Sequence, residues 1–195
     1  MNRRKTVAVI GDGDLPEHAE KYRMAEELGR ALVDHGYRVM TGGLGGIMEA
    51  ASRGARSSAC YREGDIIGIL PGSIPGAANQ YVDISIPTAL GTARNLIVAQ
   101  AEAVVAIGGG AGTLSEMAGA WVMGRLVIGY RVEGWSGELA DRKIDPRVRY
   151  PSIPDDRVYG VSSADEVIGF LDLIPAYNPW TRNNPEIQIS ADRRR

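Results

Sequence analysis

Two glycine runs each follow a short apolar segment and each lead into a segment of helical periodicity. The first, Gly42-Gly43-Leu44-Gly45-Gly46, lies between Thr41 and Ile47-Met48-Glu49, and the second, Gly108-Gly109-Gly110-Ala111-Gly112, lies between Ile107 and Thr113-Leu114-Ser115-Glu116. A chain with this pattern must leave a strand, turn through backbone largely free of side chains, and enter a helix. A helix N-terminus offers unpaired amide hydrogens and a partial charge of about +0.5, and absent Cβ atoms let an anion reach them. Tight turning and close helix-to-strand packing explain either loop alone. Two such loops together point to a ligand that carries phosphate.

The rest of the chain repeats the alternation. Strands are expected at Thr6–Ile10, Tyr37–Thr41, Asp65–Leu70, Tyr81–Ile86, Ala103–Ile107 and Leu126–Gly129, with a last one at Val158–Val161. Helices are expected at Pro16–Gly36, Ile47–Ala55, Ala93–Ala101, Thr113–Met123 and Ser162–Leu171, the last with a serine cap signal and acidic first turns. Strands separated by helices of this length need crossovers. The fold class is therefore α/β, a mostly parallel sheet with helices on both faces. Ligands in such sheets bind beyond the carboxyl ends of the strands, where both glycine runs fall. The 195 residues fit one domain, 1–195, with an irregular tail from about residue 175.

Several functions are excluded on composition and pattern. The balance of 22 basic and 24 acidic residues lacks the positive field of a nucleic-acid binder. Arg3, Arg4, Lys5 and Arg193 to Arg195 read as solvated ends. The run Val7–Ile10 is too short for a signal peptide core, and Gln100 and Glu102 interrupt the most apolar later stretch, so no membrane span is expected. One cysteine, Cys60, fits a reducing, cytoplasmic setting. His18 and His35 lie apart with no cysteine or acidic cluster at metal spacing, so no metal site is expected. Neither glycine run has the dinucleotide fingerprint, Gly11 and Gly13 lack its third glycine, and no lysine follows either run as in a P-loop.

Read with Thr92-Ala93-Arg94-Asn95 and with Gly42–Glu49, the segment Gly109–Glu116 resembles the LOG superfamily. Within it, the chain is most similar to molybdenum-cofactor carrier proteins and relatives once labelled lysine decarboxylases; the resemblance runs from about Val7 to Gly129. It implies a Rossmann-like fold and a homo-oligomer, dimer or tetramer. LOG enzymes are phosphoribohydrolases that carry an Arg-Lys pair and a Pro-Gly-Gly-x-Gly-Thr-x-x-Glu loop. By that likeness Arg94 matches the arginine, Glu116 the carboxylate, and Gly109, Gly110, Gly112 and Thr113 the phosphate loop. Asn95 stands where the lysine would be, and Gly108 where the proline would be. These departures suit the carrier branch.

The ligand-binding set expected from both lines of reasoning is Gly42, Gly43, Gly45, Gly46, Arg94, Asn95, Gly109, Gly110, Ala111, Gly112, Thr113 and Glu116. The ligand expected is a molybdenum cofactor or a nucleotide, with no cofactor required. In the enzymatic alternative Arg94 grips a phosphate and Glu116 stabilises an oxocarbenium-like state or orients water. Glu116 also reads as the third helical residue of a capping box begun by Thr113. A pyridoxal-dependent decarboxylase is rejected, because Lys5, Lys21 and Lys143 are placed away from the glycine loops.

Overall fold

The computed structural model describes residues 3–177. Seven strands form one sheet: β1 (Thr6–Gly11), β2 (Arg38–Thr41), β3 (Ile66–Leu70), β4 (Ile84–Pro87), β5 (Ala103–Ile107), β6 (Leu126–Tyr130) and β7 (Tyr159–Val161). Their order is β4-β3-β2-β1-β5-β6-β7, and every neighbouring pair is parallel. The direction of winding reverses between β1 and β5, which makes that junction the topological switch point.

The central strands are apolar on both sides because both sides are covered. Val7 and Val9 of β1 pack into one layer with α1 (Glu20–Asp34), α2 (Ile47–Ser57) and α6 (Ala164–Leu171). Ala8 and Ile10 pack into the opposite layer, where Val98 of α3 (Asn95–Val98), Met117 and Ala120 of α4 (Ala111–Val122) and Leu139 of α5 (Trp135–Leu139) meet the sheet. In the first layer α1 and α2 touch backbone to backbone: a Cβ on Gly54 would collide with the carbonyl of Glu26. No helix among the described residues is long and apolar enough to cross a membrane.

The sheet is parallel throughout rather than mostly so. The helix expected over Ala93–Ala101 is broken into a 3-10 turn, Gly91–Arg94, that runs into the short α3. Strand β4 starts at Ile84, not Tyr81, because Asp83 turns its carboxylate to the amides of Gly64 and Ile66, both at 3.1 Å. Ser163 caps α6 as the serine signal suggests, accepting the Glu166 amide at 3.3 Å. Helix α5 has no counterpart in the sequence reading. Tyr177 is buried, so the fold continues past residue 175; the remainder of the expected tail, with Arg193 to Arg195, lies outside the described residues.

Candidate functional site

Strands β1, β2 and β5 end side by side at the switch point, and the loops that leave them enclose a cavity of about 270 Å³. The β1 loop contributes Gly11, Asp12 and Gly13, and the β2 loop contributes Gly42. Met48 of α2, Arg94 and Asn95 stand along the wall, and Gly110, Gly112, Thr113 and Glu116 present the first turns of α4.

Gly110 is the N-cap of α4 and no side chain caps that end. Helix geometry leaves the amides of its first turn without intrahelical partners, and here they border the cavity. Thr113 is therefore inside the helix. Its hydroxyl donates to the Gly11 carbonyl at 3.2 Å, tying α4 to the end of β1. The capping-box reading of Glu116 is overturned: Glu116 sits one turn further in and its carboxylate faces Arg94. Asn95 donates to the Ser115 hydroxyl at 2.8 Å and holds the α3–α4 junction.

Arg94 is 9% exposed and Glu116 6%. Nη1 of Arg94 donates to Oε1 of Glu116 at 3.2 Å, and among the described residues this is the guanidinium's only hydrogen bond. A buried guanidinium has five N–H groups to satisfy, and the remaining donors of Arg94 have no hydrogen-bond partner among the described residues. Burial lowers the Arg94 pKa against the opposing effect of Glu116. Burial likewise pushes the Glu116 carboxyl up to about 7, although the Arg94 charge pulls it down. Burial thus favours the neutral form of each group, and the partner's charge only partly offsets it.

The two glycine runs differ in role. A Cβ on Gly42 would collide with both terminal nitrogens of Arg94, so this glycine makes room for the guanidinium. Gly43 turns at φ +75° against Leu70 and Gly68, and Gly46, at φ +63°, packs on the Asp12 carbonyl, which accepts the Ile47 amide at 2.9 Å. Gly45 lies 3.3 Å from the Gly13 carbonyl, measured from where its Cβ would stand. The first amide of α2 is thus already used. The second run keeps its helix end open and is braced from behind, where Gly108 and Gly109 accept the amides of Ser136 and Trp135 at 3.0 Å. The Ser136 hydroxyl accepts the Gly108 amide at 2.8 Å. Gly109 and Ala111 belong to this braced turn beside the cavity wall.

The β1 end and loop, Met48 and Lys21 all escape the sequence reading. Asp12 lines the cavity, signalled only by a glycine-acid-glycine turn directly after the first strand. Lys21 corrects the placement of the lysines: its Nζ lies 2.5 Å from Asp12 Oδ2 and over Gly108, beside the second glycine run. Periodicity puts it on a polar helix face, and only the packing of α1 shows where that face points. Asn79 holds the first run by two donations, from its backbone amide to the Gly43 carbonyl at 2.8 Å and from its side-chain amide to the Leu44 carbonyl at 2.9 Å.

An all-parallel sheet with an open helix end and a buried guanidinium at its switch point defines a Rossmann-like α/β protein with a polar crevice. Residues 4–155 match the SLOG cluster4 family, and the chain belongs to that family. An uncharacterized protein of Archaeoglobus fulgidus is 39% identical over 122 residues, which is 62% of this chain and 76% of that one. The molybdenum cofactor binding protein from the phototrophic bacterium Rippkaea orientalis has a TM-score of 0.72 and 31% identity, covering 90% of this chain and 99% of its own. The molybdenum cofactor carrier protein of Chlamydomonas reinhardtii has a TM-score of 0.69 and 28% identity, with 89% and 99% covered.

Proposed function

We propose that this chain is a binding or carrier protein for a phosphate-bearing small molecule, a molybdenum cofactor or a nucleotide-like compound. The observation that carries the reading is Arg94: a buried guanidinium with one 3.2 Å partner, facing the same cavity as the uncapped start of α4. Arg94 grips the phosphate through paired N–H groups, and the amides of Gly110 to Thr113 supply the rest of the cradle. The likeness to solved molybdenum cofactor binding and carrier proteins supports the cargo. A homo-oligomer, dimer or tetramer, belongs to the same proposal. Apart from the buried Glu116, α4 carries no charged residue and shows Ala111, Ser115 and Val122 to the outside, as a helix that packs on a second copy does.

Native mass spectrometry of freshly purified protein tests cargo and assembly together. The expected result is an oligomer that releases a pterin or nucleotide on denaturation. An empty monomer that takes up neither compound overturns the reading. Incubation with AMP separates the enzymatic alternative, since only a phosphoribohydrolase releases adenine over repeated turnovers.

The Arg94–Glu116 pair also sets a pH dependence. Below about 7 Glu116 is neutral and leaves Arg94 to the ligand; above it, the carboxylate competes for Arg94 and repels the incoming anion. Arg94, Asp12 and Glu116 are the ionisable side chains that line the cavity. Sulfate is the clean probe because it keeps one charge state over this range. Its affinity is expected to fall about 10-fold between pH 6 and pH 8, since one proton is taken up per anion bound and each pH unit above the pKa costs up to about 10-fold. In Glu116→Gln the profile is expected to be flat. Sulfate affinity that is constant or rising over this range in the unaltered protein would falsify the competition.

A further inference from the structure

The cavity carries opposite charges on two of its walls. Arg94 and the first turn of α4 form an anion-binding wall, whereas the β1 loop brings in the carboxylate of Asp12. That carboxylate is 26% exposed and one oxygen, Oδ2, receives the Lys21 ammonium at 2.5 Å. Among the described residues its other oxygen, Oδ1, has no hydrogen-bond partner. Lys21 is itself fixed. Its Nζ reaches the Glu133 carbonyl at 3.4 Å, and the missing side chain of Gly108 leaves the space that it fills.

We propose that Asp12, positioned by Lys21, is the specificity-determining group of this site and recognises hydroxyl or amino donors on the organic half of a phosphate monoester bound at Arg94. The inference rests on the anion site at Arg94 described above and adds the chemistry of the rest of the ligand. A carboxylate oxygen accepts N–H and O–H donors strongly and repels a second anionic group. Its presence in the cavity selects against esters whose organic half carries no donor. The volume agrees. About 270 Å³ lies just below the roughly 300–1,000 Å³ span of small-molecule sites and leaves room for more than a phosphate group. Lys21 holds Oδ2 from behind and leaves Oδ1 as the acceptor, the same division of labour by which supporting residues orient groups that touch a ligand.

The test is calorimetric titration of the full chain with methyl phosphate, which has no donor beyond its phosphate, and with ribose 5-phosphate, which has several. The unaltered protein is expected to prefer ribose 5-phosphate by about 10-fold, the scale of one hydrogen bond to a charged group. In Asp12→Ala that preference is expected to vanish, with methyl phosphate binding unchanged or tighter. Asp12→Asn, which keeps the shape and a neutral acceptor, is expected to fall between and serves if Asp12→Ala does not fold. Equal losses for both ligands, or a preference that survives both substitutions, overturn the proposal. So does an unaltered protein that binds methyl phosphate without preferring ribose 5-phosphate, and in that case the anion site stands. Binding of neither ligand removes the anion site and this proposal together.

Discussion

Arg94→Ala is expected to weaken the binding of phosphate esters by about 100-fold while the protein remains folded. Charge-assisted hydrogen bonds are worth about 1.5–3 kcal/mol each, and a factor of 10 corresponds to about 1.4 kcal/mol, so the loss of a two-pronged grip reaches two decades. The fold survives because Glu116, left without its partner, is already pushed up to about 7 and takes a proton in place of a buried charge. Arg94→Lys restores the charge but not the planar fork, and is expected to recover only part of the affinity. Gly42→Ala gives an independent route to the same outcome. Its new Cβ displaces the guanidinium and, at 2.6 Å from the Met48 sulphur, crowds the wall without removing any binding group. Titration of each variant with AMP or ribose 5-phosphate decides the matter. Affinity within threefold of the unaltered protein in Arg94→Ala would mean that the anion sits elsewhere.

The parts of this architecture that sequence makes legible are those where one physical cause acts alone. Strands β1 and β5 are buried on both faces, so Val7–Ile10 and Ala103–Ile107 are uninterrupted apolar runs, visible without any structure. The second glycine run is legible for a similar reason: a strand end, missing side chains and a helix start fall in one short stretch. Edge strand β4 has only one covered neighbour, leaves Ile84 and Ile86 over 40% exposed, and its start is set by the Asp83 carboxylate rather than by burial. Glu116 satisfies the capping-box pattern, yet the helix starts two residues earlier at Ala111, and that shift turns a cap into half of a buried pair. Lys21 and Asp12 are nine residues apart on either side of a turn, and only the packing of α1 brings them to Gly108. In each missed case the deciding partner is distant in sequence.

Distance in sequence also governs the segment after Tyr130, which adds buried polar contacts to the apolar side chains it packs into the core. Arg149→Met is expected to lower the melting temperature by about 10 °C. The Arg149 side chain is 7% exposed and its guanidinium meets Asp156 by two hydrogen bonds, at 2.8 and 2.6 Å. It also donates to the carbonyls of Trp121 and Arg125 at 2.9 and 3.0 Å and lies 3.5 Å above the Trp121 ring. Asp156 in turn accepts the Tyr177 hydroxyl at 2.8 Å, and Tyr177 meets Tyr159 at 2.9 Å. Removing the arginine strips the buried Asp156 carboxylate of its counter-charge and takes one donor from each of the Trp121 and Arg125 carbonyls, a loss of about 3–5 kcal/mol, and for a chain of this size each kcal/mol shifts the midpoint by about 2–4 °C. Arg149→Met combined with Asp156→Leu is expected to be less damaged than Arg149→Met alone, because no charge is then stranded. A melting point for Arg149→Met within 2 °C of the unaltered protein would contradict the account. The contact matters for the site as well, since Trp121 stands at the far end of α4 and Arg125 just beyond it, and the near end of α4 lines the crevice. The same segment supplies Ser136 behind Gly108, so it fixes both the helix and the loop that the ligand is proposed to touch.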